Sequence, residues 1–147
     1  MTHTLRAALA VLLVPLVGCH SSTSLDEALR ESAFVRSISS SATLVSVPRP
    51  VRAGVPFDLV LRTYPADGCT VVDRTELTRN SKGEFVITPY NRSVLPPSGS
   101  CGVARPTLAH TVRLTYATAG RKRLIVRGRD FDSKAAVQVE VTLVVEP

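Results

Sequence analysis

The chain has 147 residues, 44% of them hydrophobic, which suits one domain with a modest core. Its formal net charge is +6, and it contains three cysteines and no tryptophan. Basic charge alone does not indicate nucleic-acid binding, because no recognition motif accompanies it. We therefore expect a single small domain with no nucleic-acid partner.

The amino-terminal end has the order of a secretion signal. Residues 1–6 carry one positive charge, and residues 7–17 form an apolar run without charge. This run is much shorter than the roughly 20 residues that a helix needs to cross a bilayer. We therefore expect residues 1–18 to be a cleaved signal peptide and not a permanent membrane span.

The end of this segment, Leu16-Val17-Gly18-Cys19, has an aliphatic residue, a second aliphatic residue, glycine and then cysteine. It resembles the lipobox of bacterial lipoproteins, in which the cysteine thiol receives diacylglycerol and a peptidase cleaves just before it. The resemblance implies that Cys19 is lipidated and that membrane lipid is a partner, since two or three acyl chains hold a protein firmly. The alternatives are an ordinary cleaved signal that happens to end in cysteine and a cytoplasmic protein with an apolar start.

The residues after Cys19 bear on location. Residues 20–24 are polar and rich in serine, as in segments that space a domain from a membrane. In lipoproteins of enteric bacteria, an aspartate after the modified cysteine tends to retain the protein at the inner membrane, and here His20 takes that place. The resemblance implies a lipid-anchored protein of the cell envelope, on the outer membrane facing the periplasm if the source has two membranes.

Residues 19–42 are expected to be a lipidated tether that contains at most one ordered piece. Ser24 and Glu27 have the spacing of a capping box, and the residues that follow could line one side of a short helix over residues 25–36. The serine-rich run at residues 37–41 then ends the pattern. An unstructured tether is the alternative.

With Cys19 lipidated, Cys69 and Cys101 remain as an even pair in a compartment that allows disulfides. We expect these two cysteines to bond to each other. A metal site is the rival interpretation, but metal-binding cysteines usually come as close pairs with histidine nearby. We therefore expect neither a metal nor a cofactor.

From residue 43 to residue 147 the hydrophobic period changes to two, with turn residues between short β-branched runs, which predicts an all-β domain. About seven strands are expected, at residues 43–47, 56–64, 69–78, 84–88, 107–116, 121–129 and 135–145. Residues 89–106 are expected to form the longest loop. Regular alternation predicts one buried face and one wet face for each sheet.

Seven short strands at this spacing resemble an immunoglobulin-like or fibronectin-type β-sandwich. The entries to the second strand at Gly54, Pro56 and Phe57 and to the sixth at Ala119 and Gly120 are similar to those of bacterial domains of that kind. The tryptophan of true immunoglobulin domains is missing, and the cysteines lie elsewhere. The strand order therefore stays open.

Residues for catalysis are few. A nucleophile needs a base beside it, and His110 is the only histidine within the predicted sandwich. By parity, His110 falls on the apolar face of its strand, where a buried and hydrogen-bonded histidine is the ordinary outcome. We expect no enzyme, with a hydrolase around His110 as a remote alternative.

Two surfaces are candidates for binding. Period two places four arginines on one face of the sixth strand, with Ile125 in the same row: Arg121, Arg123, Arg127 and Arg129. Such a stripe could bind an anionic glycolipid or an envelope protein, or it could be a solvated face partly paired with Glu140. The loop at residues 96–102 is the second candidate. We expect a non-catalytic envelope lipoprotein that binds another envelope component, with a structural or assembly accessory as the alternative.

Overall fold

The computed structural model describes residues 30–35, 44–103 and 106–147. The expected signal at residues 1–18, Cys19 and most of the tether lie outside the described residues. The ten described strands are β1 (Arg30–Ser32), β2 (Phe34–Val35), β3 (Val45–Ser46), β4 (Val51–Arg52), β5 (Phe57–Thr63), β6 (Thr70–Arg79), β7 (Phe85–Ser93), β8 (Leu108–Leu114), β9 (Gly120–Asp130) and β10 (Ala136–Glu146).

The smaller sheet is antiparallel and has the order β3-β5-β8. In β5, Phe57, Leu59 and Leu61 are buried, while Asp58 and Arg62 on the opposite face are exposed. β8 has the same alternation. Period two therefore puts one apolar face of this sheet on the core and one polar face in water.

The larger sheet has seven strands, with β6, β7, β9, β10 and β4 side by side. β7 pairs with β6 along one edge. Along its other edge it runs parallel to β9 only from Phe85 to Ile87, and beyond that point it pairs with β1. β2 in turn pairs with β9. Residues 30–35 therefore occupy the gap where β7 and β9 separate.

The core lies between the two sheets and is aliphatic with a few aromatic rings. Its fully buried members come from both sheets and from the amino-terminal segment: Val35, Leu59, Leu61, Ile87, Leu124 and Val126. At one end, Tyr116 packs between Phe57 and Phe85, with ring centroids 6.2 and 5.2 Å away. Burial of these side chains is the main stabilising contribution, at about 1.5 to 3 kcal/mol each.

The predicted all-β sandwich is confirmed, and each of the seven expected strands is present. The count is ten because β1, β2 and β4 are added. Immunoglobulin-type sandwiches have two antiparallel sheets, whereas β7 and β9 are parallel neighbours here. The resemblance therefore covers the layered sandwich, and the parallel pairing of β9 with β7 and β2 and of β10 with β4 is a departure from it.

The predicted helix over residues 25–36 is wrong for its described part. Residues 30–35 form β1 and β2, and the rest of that prediction lies outside the described residues. The amide of Ala33 donates to Pro89 O at 2.8 Å, and Ala33 O accepts from the amide of Arg129 at 3.1 Å. Pairing with two strands overrides a weak local helix preference, so part of the expected tether belongs to the sheet.

The predicted loop at residues 89–106 begins too early. β7 continues to Ser93, although Pro89 suggested that the strand stops there. A proline lacks the amide donor but keeps its carbonyl, and here the Pro89 carbonyl accepts a hydrogen bond from Ala33. Proline is therefore tolerated at position 89, because only its carbonyl is needed for this hydrogen bond.

Candidate functional site

The basic groove is a concave surface of about 470 Å³ at one end of the sandwich. It lies between the β6–β7 turn and the segment that joins β8 to β9. Its charged lining consists of five cations and one carboxylate: Arg79, Lys82, Arg121, Lys122, Arg123 and Glu84. Positive charge therefore predominates in this concave surface.

The turn that forms one wall of the groove is fixed by Asn80. Its Oδ1 accepts hydrogen bonds from the amides of Lys82 and Glu84, both at 3.0 Å, and its Nδ2 donates to Glu84 Oε2 at 2.7 Å. Gly83 has a φ of 76°, which other residues rarely adopt. Asparagine and glycine thus hold the turn in one shape.

Three of the five cations are held by bonds within the protein. Arg79 Nη1 donates to Gly83 O at 2.6 Å, and its guanidinium carbon lies 3.8 Å from the centre of the Phe85 ring. Lys122 Nζ donates to Thr118 Oγ1 at 2.7 Å. Arg123 forms ion pairs with two carboxylates, those of Glu84 at 3.0 Å and Glu140 at 3.2 Å.

The other two cations, Lys82 and Arg121, are exposed. Within the described part of the chain, neither of their charged groups has a hydrogen-bond or ion-pair partner. Glu84 is the only carboxylate that lines the groove among the described residues, and Arg123 and Asn80 already engage it. The groove therefore carries charge that no described side chain neutralises.

Tyr116 also lines the groove, and its buried hydroxyl is the second unused group. The residue is 8% exposed, and its hydroxyl has no hydrogen-bond partner among the described residues. Burial raises the pKa of Tyr116 to about 12, with a smaller opposing effect of the Arg79 charge. The hydroxyl therefore stays protonated near neutral pH and can donate.

The arginine stripe expected on β9 is divided. Arg121 and Arg123 line the groove, while Arg127 Nε donates to Gln138 Oε1 at 3.0 Å. Arg129 lies at the far end of the strand, where it covers the Phe34 ring at 4.4 Å. Ile125, between the two halves, is only 4% exposed.

The groove includes residues that the sequence did not single out. Arg79 and Lys82 come from the β6–β7 hairpin and join Arg121 because β7 lies next to β9. Alternation along β9 identified only the groove residues of that strand, Arg121 and Arg123. The one local signal in the other wall was the hairpin turn with Asn80 and Gly83.

His110 is buried in a polar network between the sheets and is 1% exposed. Its Nε2 donates to Asn91 Oδ1 at 3.0 Å, which leaves Nδ1 to accept from the hydroxyl of Thr75 at 2.9 Å. Burial lowers the pKa of His110 to about 4. The imidazole is therefore neutral, and both of its nitrogens are occupied.

Cys69 and Cys101 form the expected disulfide, with Cα atoms 5.0 Å apart. Asp67 lies close to both sulfur atoms, but its Oδ1 accepts from the amide of Cys69 at 2.9 Å. Since the bonded sulfurs are not thiolates, the group lacks the ligands of a cysteine metal site. The bond pins the exposed loop at residues 96–102 to the start of β6.

No family model, curated protein or solved structure matches the chain. Within residues 30–35, 44–103 and 106–147, we find no helix with the length and apolar character needed to span a membrane. Function must therefore be argued from the residues themselves.

Proposed function

We propose that this chain is a lipid-anchored protein of the bacterial cell envelope whose β-sandwich is a non-catalytic binding module. The disulfide between Cys69 and Cys101 carries the proposal. Disulfides persist in oxidising compartments outside the cytosol, as expected after export by the signal at residues 1–18. The bond also uses two of the three cysteines, so Cys19 is left for lipid.

The surroundings of His110 support a non-catalytic role. A general base must reach a proton on substrate or nucleophile directly or through one water. His110 is buried, and Thr75 and Asn91 occupy its two nitrogens. The hydrolase alternative therefore lacks an accessible base at this position.

The basic groove supports a binding role over a purely structural one. It is concave, its turn is held by Asn80, and two of its cations lack partners in the described chain. A cleft lined mainly by charge of one sign attracts ligands of the opposite sign. An anionic glycolipid or an acidic surface of an envelope protein has the charge that complements it.

Fractionation of cells that express full-length protein tests the anchor. We expect the parent protein to be recovered with membranes and to incorporate labelled fatty acid. Cys19→Ser should do neither, because the acylated thiol is gone. Ser22→Ala is the matched control and should behave like the parent. Membrane attachment of the parent with an unmodified Cys19 would contradict the proposal.

Crosslinking in intact source cells tests the binding role. The protein is purified through a carboxy-terminal tag, and mass spectrometry identifies what is linked to it and where. Linkage of one component to the rim of the basic groove or to residues 96–102 is the expected result. Reproducible absence of any linked component would favour a structural or assembly accessory.

A further inference from the structure

We propose that the basic groove binds a ligand through phosphoryl groups, with Lys82 and Arg121 as the principal contacts. This inference rests on the proposed function, because it names the class of ligand that the binding module takes. The proposed site lies at the end of the sandwich that is formed by the β6–β7 turn and the start of β9. The proposed site does not include Arg127, which donates to Gln138, or Arg129, which covers the Phe34 ring.

The arrangement of charge is the first argument. Among the described residues, five cations line one groove with a single carboxylate, and that carboxylate forms an ion pair with Arg123. Like charges held close together repel, and a bound anion relieves that repulsion. Because Asn80 holds the turn and β9 forms the other wall, the ordering needed when an anion binds is confined to the exposed Lys82 and Arg121 side chains.

The donor geometry is the second argument, and it favours phosphate over a single carboxylate. Arg121 offers a planar fork and Lys82 a mobile ammonium from the opposite wall, while Arg79 and Lys122 are already positioned by Gly83 O and Thr118. A carboxylate has two oxygens and one charge, whereas a terminal phosphate has three acceptor oxygens and up to two charges. Arginine forks and lysine ammonium groups together match the latter.

The third argument is Tyr116, which is one of the residues that line the groove. The Tyr116 hydroxyl is buried and unpartnered among the described residues, and an unmade buried hydrogen bond is unfavourable. The hydroxyl is closed off from solvent, so a phosphate oxygen could accept its hydrogen bond only after binding opens it to the groove. A buried donor without a partner needs an explanation, and a bound water, ion or ligand can supply one.

The groove lies far from the point where the amino-terminal segment joins the sandwich. Residues 30–35 meet β9 at Arg129, and Arg121 lies eight residues earlier, about 26 Å along the strand. The groove is thus at the end of the sandwich away from the chain that leads to Cys19. A soluble phosphate compound and a phospholipid or glycolipid headgroup share the same chemistry, and the experiment distinguishes them.

The test is calorimetric titration of full-length protein, in neutral detergent at low salt, with pyrophosphate. We expect saturable binding that weakens as salt rises. Lys82→Gln combined with Arg121→Gln should weaken it by about tenfold or more, since two charge-assisted bonds are lost. Arg62→Gln with Arg113→Gln removes the same charge from the exposed face of the smaller sheet and should leave binding unchanged.

Citrate, a carboxylate ligand of comparable charge, is titrated in parallel and should bind more weakly than pyrophosphate. Three results would overturn the inference: no binding of pyrophosphate, equal binding of citrate, or equal losses in the two double variants. None of them depends on Cys19, so failure here is distinct from failure of the lipid-anchor test.

The source is tested with glycerol 3-phosphate and dihexanoyl phosphatidic acid, which carry the same terminal phosphate without and with acyl chains. Tighter binding of the lipid, lost in Lys82→Gln/Arg121→Gln, assigns a membrane headgroup. Equal binding of the two compounds, lost in the same variant, assigns a soluble phosphate. Binding that survives in that variant would contradict the groove as the site.

Discussion

The Nε2 atom of His110 lies 3.0 Å from Asn91 Oδ1, and this hydrogen bond joins the smaller sheet to the larger one. Asn91 Nδ2 in turn donates to Thr63 Oγ1 at 3.4 Å. The network therefore runs from β8 to β7 and back to β5. Buried polar groups that satisfy one another help to fix the relative position of two packed sheets.

Replacement of His110 should be strongly destabilising. His110→Ala leaves the Thr75 hydroxyl and the Asn91 carbonyl without partners and opens a cavity, so we expect a loss of about 3 kcal/mol in the free energy of unfolding. Urea denaturation followed by circular dichroism measures it. Arg113→Ala, an exposed position on the same strand, is the control and should lie within about 0.5 kcal/mol of the parent. A similarly small loss for His110→Ala would mean that the network contributes little.

The same histidine predicts a dependence of stability on pH. Its pKa is about 4 in the folded protein against an ordinary 6.5, so between these values the unfolded chain binds more protons. The free energy of unfolding should therefore fall as pH decreases from 6.5 towards 4. In His110→Gln this component is absent, and the difference between parent and variant should shrink over that range. Denaturation curves at several pH values check this, and a constant difference would contradict it.

Removal of the disulfide should destabilise the domain without changing its fold. Cys69 and Cys101 are 32 residues apart, and opening a loop of that size costs about 3 to 4 kcal/mol in the chain-entropy model. We expect that loss for the double change to alanine, measured by urea denaturation. The parent protein treated with reductant should show the same loss, and agreement between the two excludes an effect of the substitutions themselves.

Gly128 is required where residues 30–35 cross β9. A Cβ at this position would lie 2.7 Å from Ala33 O and 3.2 Å from a methyl group of Val35, so Gly128→Ala should push the segment away. We expect a loss of about 1 to 3 kcal/mol and faster hydrogen exchange at the amides of Ala33 and Arg129. Gly102→Ala is the control, because its Cβ would meet nothing within 4 Å. Unchanged exchange in Gly128→Ala would show that the segment can adjust.

Tyr116→Phe should stabilise the free protein while weakening its response to phosphate. Loss of an unpartnered buried hydroxyl should raise the free energy of unfolding by about 1 kcal/mol, and the ring contacts with Phe57 and Phe85 remain. Pyrophosphate should then raise the melting temperature less than in the parent. Tyr90→Phe is the contrast, since its hydroxyl donates to Glu76 at 3.3 Å. Calorimetric melting measures both variants.

Alternation along the chain was sufficient to predict the long strands. Leu108, His110, Val112 and Leu114 are buried in turn, and Val141, Leu143 and Val145 follow the same rule in β10. β1, β2 and β4 have two or three residues each, too few for a period to be visible. They form because neighbouring strands offer unpaired backbone groups, which only the tertiary structure reveals.

The candidate site was only half visible in the sequence for a related reason. Arg121 and Arg123 follow from the period of β9. Their meeting with Arg79 and Lys82 depends on the parallel register of Phe85 with Leu124, a long-range pairing. Likewise, Ile125 is outward by parity but buried, because exposure depends on neighbours that alternation does not describe.

The amino-terminal segment also determines how the domain bears a load. Its backbone is bonded on both sides, from Ala33 to Pro89 and Arg129, and the Phe34 carbonyl accepts from the amide of Tyr64 at 2.9 Å. In a protein anchored through Cys19, tension on the tether would act along β1 and strain these bonds together in shear instead of breaking them one by one. The segment would thus serve as a mechanical clamp between membrane and sandwich.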